Sequence, residues 1–125
     1  MAIFQQTLEK LQHFTLLATT TITATGNQTG VDLLEFDGDI QIILAGTAAG
    51  SGADLTFRIE DSADNSSYAA VTGGTFTAIG NAASKQVLTL NHDDLRRYVR
   101  LSCTAETGTA SSAVTCFGYG LKKYG

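Results

Sequence analysis

Proline and tryptophan are absent from the 125-residue chain, which has only two cysteines, two histidines and one methionine. Each shortage excludes something. Two cysteines cannot build a disulfide framework, and neither Cys103 nor Cys116 sits in a zinc-ligand spacing. His13 and His92 have no serine or cysteine motif beside them, so no nucleophile–base pair can be read. Walker and dinucleotide glycine patterns are missing too. The expectation is a protein that is not an enzyme and takes no cofactor and no metal. Without tryptophan, a sugar-stacking site would depend on the four tyrosines. The lack of proline has no physical explanation in a chain this rich in loops.

Long apolar runs are also lacking, so nothing here would cross a bilayer as a helix, and no membrane partner is expected. The opening Met1-Ala2-Ile3-Phe4-Gln5-Gln6 has neither a basic start nor an apolar core. No secretion signal is therefore expected, and the cytoplasm is the expected place of synthesis and residence. A reducing compartment would keep both cysteines as thiols. Positive charge is scarce: eight basic residues face twelve acidic ones, a net charge of −4. That argues against a nucleic-acid partner. The signs are uneven, with Asp32, Glu35, Asp37, Asp39, Asp54, Glu60, Asp61 and Asp64 early and Lys85, Arg96, Arg97, Arg100, Lys122 and Lys123 late. Such asymmetry suits head-to-tail or cyclic self-association, and equally an ordinary solvated surface.

What the chain does have is alternation. Residues 3–12 carry a helical spacing, with Phe4, Leu8 and Leu11 at i, i+4 and i+7. A helix this short is marginal alone and needs a surface, its own sandwich or a neighbour. Period two then takes over. Leu16, Ala18, Thr20, Ile22 and Ala24 alternate with Leu17 and three threonines, and β-branched residues favour strands. Further strands are expected at 30–36, 40–44, 54–61, 68–71, 75–79, 85–90, 98–105 and 113–121. Turns are expected at 36–39, 62–67 and around Gly73-Gly74, which reads as a hairpin. Residues 45–52 read as a flexible loop and 91–95 as a turn of helix. In the strand 54–61, Leu55, Phe57 and Ile59 should face the core, with Asp54, Thr56, Arg58 and Glu60 outside.

The fold class that follows is all-β: an antiparallel two-sheet β-sandwich or jelly roll with a short N-terminal helix or arm. Residues 1–14 would be the arm and 15–125 a single sandwich domain. One domain of this size sits near the stability threshold, where self-association helps. Asp37-Gly38-Asp39 and Asp61, Asp64 and Asn65 offer oxygens for Ca²⁺, but without the six or more converging ligands such a site needs.

Strands 98–105 and 113–121 read as a hairpin turning near Gly108–Ala110. One face would pair Val99 with Gly120, Leu101 with Gly118, Cys103 with Cys116 and Ala105 with Val114. Two buried thiols used as small apolar side chains are the expected state, a disulfide the alternative. The other face would join Tyr98, Arg100, Phe117, Tyr119 and Leu121, with Arg100 stacked over Tyr119. That mixture of aromatics and arginine is what interfaces enrich. These five are the expected oligomer interface, unless the N-terminal helix covers them. Ile3, Phe4, Leu8 and Leu11 are the expected contact with a capsid or neighbouring subunit.

From about Gly30 to Tyr124 the text resembles small head proteins of tailed bacteriophages. The matching stretches are Gly30–Leu34, Phe36–Gly38, Phe57–Tyr68 and Leu95–Leu101. The resemblance implies a β-sandwich or jelly roll, commonly trimeric, that decorates or cements an icosahedral capsid. Its partners would be further copies of itself and the major capsid protein, and its location the outside of the virion. It supplies no catalytic residues. The alternative is a carbohydrate- or receptor-binding sandwich on a phage fibre, spike or tail.

Overall fold

The computed structural model describes residues 11–122. Nine strands run β1 Leu11–Ile22, β2 Gly26–Asn27, β3 Val31–Asp32, β4 Phe36–Gly46, β5 Asp54–Ser62, β6 Ala69–Thr75, β7 Ser84–Asn91, β8 Tyr98–Thr107 and β9 Ser112–Lys122. One sheet has the order β1-β9-β4-β7 and the other β2-β8-β5-β6. The short β3 also pairs with β8, further along it than β2, so the two form one interrupted edge strand. Counted so, eight strands switch sheet at every connection except β5–β6. That is jelly-roll topology, and every pairing is antiparallel.

The alternation read from the sequence builds the core. Ile40, Ile42 and Leu44 from β4 meet Leu55, Phe57 and Ile59 from β5, Val99 and Leu101 from β8, and Val114 and Cys116 from β9, all fully or almost fully buried. Gly118 and Gly120 point the same way and leave room. A Cβ at Gly118 would overlap the Phe14 ring, and one at Gly120 would come within 2.6 Å of Phe36. The two rings pack edge to face at 5.3 Å above those glycines. Cys103 and Cys116 are both buried and free. Between β7 and β8, His92–Asp94 forms the expected turn of helix, as a 3₁₀ turn capped by Asn91, whose side chain accepts from the Asp93 amide.

Four expectations need correction. Strands β8 and β9 are not a hairpin. Gly108, at φ +62°, ends β8 against the 47–53 segment, where a Cβ would lie 2.6 Å from the Gly52 carbonyl. The chain then crosses the end of the sandwich, held by Ser111 N–H to the Ala49 carbonyl, and enters the other sheet. The Phe36–Asp39 turn is instead a bulge inside β4, with Gly38 at φ +72° and the register slipping between Asp37 and Gln41. Gly73-Gly74 likewise lie within β6, where Gly73 at φ +77° accommodates a slip against β5, and no hairpin forms. Residues 45–52 are not a loose loop. Ala45 and Gly46 belong to β4, Ala49 is buried, and its N–H donates to the Gly80 carbonyl at 2.6 Å. At the other end, β1 starts at Leu11, inside the expected 1–14 arm, and its Phe14 is buried. Ile3, Phe4 and Leu8 lie outside the described residues.

Candidate assembly surface

The two sheets differ on their outer faces. On the β2-β8-β5-β6 sheet, Glu60 of β5 stands opposite Arg100 of β8. Its carboxylate accepts from Arg100 Nε at 2.8 Å and from Arg58 Nε at 2.8 Å. Burial alone would raise the Glu60 carboxyl, but bonding to Arg100 and Arg58 outweighs it and holds the group below its ordinary value of 4.5. The Tyr68 ring lies 4.0 Å from the Arg100 guanidinium, and its hydroxyl donates to Asn65. Loop 63–68 therefore folds over this face as far as Gly30, where any Cβ would strike Tyr68 and Asn65. At one end Arg96 grips Asp61 through Nε at 3.0 Å and Nη2 at 2.8 Å, and Arg97 pairs with Asp32. Glu60 was expected to be exposed. It points outward as the register requires, yet it is buried by its own ion partners.

The outer face of the β1-β9-β4-β7 sheet has no such cover among the described residues. Register places Thr15, Phe117, Ile43 and Val87 in one row across all four strands, and His13, Tyr119, Gln41 and Thr89 in the next. Leu11 opposes Leu121 beyond them. His13, Phe117 and Tyr119 cluster with ring centroids 5.4–5.8 Å apart. Val87 is 53% exposed, Leu11 47%, and Tyr119 and Leu121 37% each. A shallow depression of about 240 Å³ lies between Leu11, Tyr119 and Leu121 on one side and Asp39, Gln41 and Thr89 on the other. Charge is confined to the margins of the strands, at Asp37, Asp39 and Lys85. A contiguous apolar patch with a polar rim is the usual mark of a contact surface.

The five residues expected to form one interface are thus divided. Phe117, Tyr119 and Leu121 lie on this open face. Tyr98 and Arg100 lie on the other sheet, where Arg100 stacks on Tyr68 rather than Tyr119. Leu11, assigned to a separate capsid contact, joins Leu121 on the open face. The sequence reading missed His13, Ile43 and Val87. The pair Ile42-Ile43 carried a signal, because two adjacent isoleucines in a strand cannot both face the core.

The carboxylates weighed and set aside as Ca²⁺ ligands find other partners. Asp64 accepts from the Ser66 and Ser67 amides at 2.9 and 3.0 Å, Asp61 is held by Arg96, and Asp39 accepts from Asn91. Asp37 instead approaches His92 and Asp93, with donor atoms within 4.8 Å of one another. Both carboxylates are exposed, and His92 Nε2 is bonded to the Leu33 carbonyl at 2.9 Å, as in an ordinary solvated strand-end turn. No described helix is long and apolar enough to cross a membrane.

No family model matches the chain. No curated protein matches it either. Solved structures share its fold. The SPBc2 prophage-derived protein YomS superposes with a TM-score of 0.55 at 11% identity, covering 88% of this chain and 93% of YomS. A chain of the T13 infectious bursal disease virus particle gives 0.59 at 9% identity, covering 90% of this chain and 31% of the viral one. The PBSX exported protein XepA gives 0.51 at 16% identity, covering 91% of this chain and 38% of XepA. This chain therefore matches nearly all of YomS and about a third of the two longer proteins. At these identities the likeness is one of fold.

Proposed function

We propose that this protein is a virion structural protein of a tailed phage, a non-enzymatic homo-oligomer that binds the outside of the capsid and stabilises it. The observation that carries the reading is the open apolar face of the β1-β9-β4-β7 sheet, set against a second face closed by its own ion pairs and loop. A jelly roll with one closed and one open face is suited to packing against other proteins. The phage and viral origin of proteins with the same fold supports the choice of a virion. So does the resemblance of residues 30–124 to phage head proteins.

The open face, centred on Phe117 and Tyr119, is the contact between copies, taken as a trimer. The major capsid protein is the second partner, reached by the segment that carries Ile3, Phe4 and Leu8. Burial of at least about 1,000 Å² per contact is required of a specific interface. Many copies acting together hold a shell more firmly than one tight contact, because linked binding multiplies affinity.

Phe117→Asp tests this. The wild-type protein should scatter as a trimer at low micromolar concentration and the variant as a monomer with an unchanged circular dichroism spectrum. Particles assembled with wild-type protein should survive heating that opens particles lacking it, and particles offered the variant should not. A monomeric wild type, together with equal heat resistance of bare and decorated particles, would sink the cementing role and favour a sugar- or receptor-binding appendage.

A further inference from the structure

A sheet edge offers unpaired backbone groups to any extended chain, and folded proteins blunt such edges. Among the described residues three of the four edges are blunted. Strand β1 slips register twice, between Thr15 and Leu17 and between Leu17 and Thr20. Strand β6 slips once against β5 and contains Gly73 and Gly74. The edge formed by β2 and β3 is two residues, a gap, and two more. Strand β7 differs. Its eight residues pair with β4 from Asp39↔Asn91 to Gly46↔Ser84 without a slip. Among the described residues it pairs on that side only.

In an antiparallel strand alternate residues turn both N–H and C=O to the same side, so half of β7 presents its backbone outward. Its one charge, Lys85, lies near one end. The six residues Gln86-Val87-Leu88-Thr89-Leu90-Asn91 that follow have no charge, no glycine and no proline. That composition favours pairing with another strand. Val87 is 53% exposed at the end of the apolar row that crosses the sheet.

We infer that β7 is an open edge to which a second copy of this chain adds its own β7, antiparallel, with Val87 facing Val87 across a two-fold axis. The two four-stranded sheets then become one of eight, and the apolar row continues from one copy into the next. This register covers the exposed Val87 side chain. It also sets Lys85 against Thr89 of the second copy, so the two lysines never oppose each other. A second copy is favoured because the strand is self-complementary in this register and carries no pattern of charge that would select a different partner. One added strand buries less than a standard interface, so this pairing is weak alone and populated at high concentration. It does not depend on the open face acting as the trimer contact.

The test uses the full chain in a Phe117→Asp background, which removes contact through the face. Sedimentation approaching about 1 mM, where weak interfaces fill, should show dimer. Adding Val87→Lys or Val87→Glu should weaken that dimer at least about tenfold, and an equimolar mixture of the two should restore it, because only facing positions bring the opposite charges together. Backbone amides within 84–91 should exchange more slowly as concentration rises. If the Phe117→Asp protein stays monomeric at every concentration, or the mixture fails to restore pairing, the open-edge inference is overturned while the face reading stands. If an unrelated extended peptide protects the same amides better than a second copy does, the occupant is wrong.

Discussion

Small side chains do as much as large ones in this core. Gly118 and Gly120 give Phe14 and Phe36 their places, and Cys103 and Cys116 pack as compact apolar groups. Burial pushes the Cys116 thiol up to about 12, and burial raises Cys103 as well. Neither thiol is a thiolate at neutral pH, so neither is a nucleophile while the chain is folded. A thiol-specific reagent at pH 8 should label neither cysteine in native protein and both in urea. Rapid labelling of native Cys116 would contradict its burial. The raised thiols add stability that is whole below the unfolded value of 9.0, and it declines at higher pH as the unfolded chain ionises first. Gly118→Ala should destabilise by about 1–3 kcal/mol, as overpacking does, and a urea melt measures it.

Strands β5 and β8 illustrate what an element gains from its neighbour. Leu55, Phe57 and Ile59 were legible as inward-facing from alternation alone, and all three are buried. Glu60 was not legible as buried, because its burial depends on Arg58, Arg100 and Tyr68 arriving from the same strand, the next strand and a loop. Glu60→Gln should cost about 1.5–3 kcal/mol at pH 7, the usual range for a hydrogen bond to a charged group. The carboxyl is depressed in the folded state, so its contribution is present above 4.5 and lost as pH falls through the lower folded value. Denaturant melts of the two proteins should therefore converge once the pH is well below 4.5 and the folded carboxyl has been protonated. A gap that persists there would mean that shape, not charge, holds the cluster. The same limit explains the missed arch. Alternation tells which way a side chain points, but Val99, Leu101, Val114 and Cys116 point inward equally well on a hairpin or on two facing sheets. The choice was made by Gly108 and by the backbone bond from Ser111 to Ala49, which no periodicity records. The open face suffered accordingly. Phe117, Tyr119 and Leu121 share one outer face because they share a strand, and Tyr98 and Arg100 were grouped with them only because β8 was placed beside β9.

At the scale of the whole molecule, the first described strand pairs with the last, and among the described strands, with β2 and β3 counted as one, only one connection stays within a sheet. Nearly every pairing therefore closes a long loop before it is rewarded. Refolding should be slow, in milliseconds to seconds, as for other all-β domains with distant contacts. Stopped-flow refolding complete within microseconds would contradict the topology. The pairing of Leu11 with Leu121 also has a mechanical consequence. Both ends of the described chain leave from the same end of one antiparallel pair, so tension between them would open β1 from β9 like a zipper, one backbone bond after another, instead of loading all of them at once. A shell under internal pressure that relied on these molecules as tie-rods through their ends would find them yielding at low force. Load carried across the broad faces of the sandwich meets its stiff, close-packed direction.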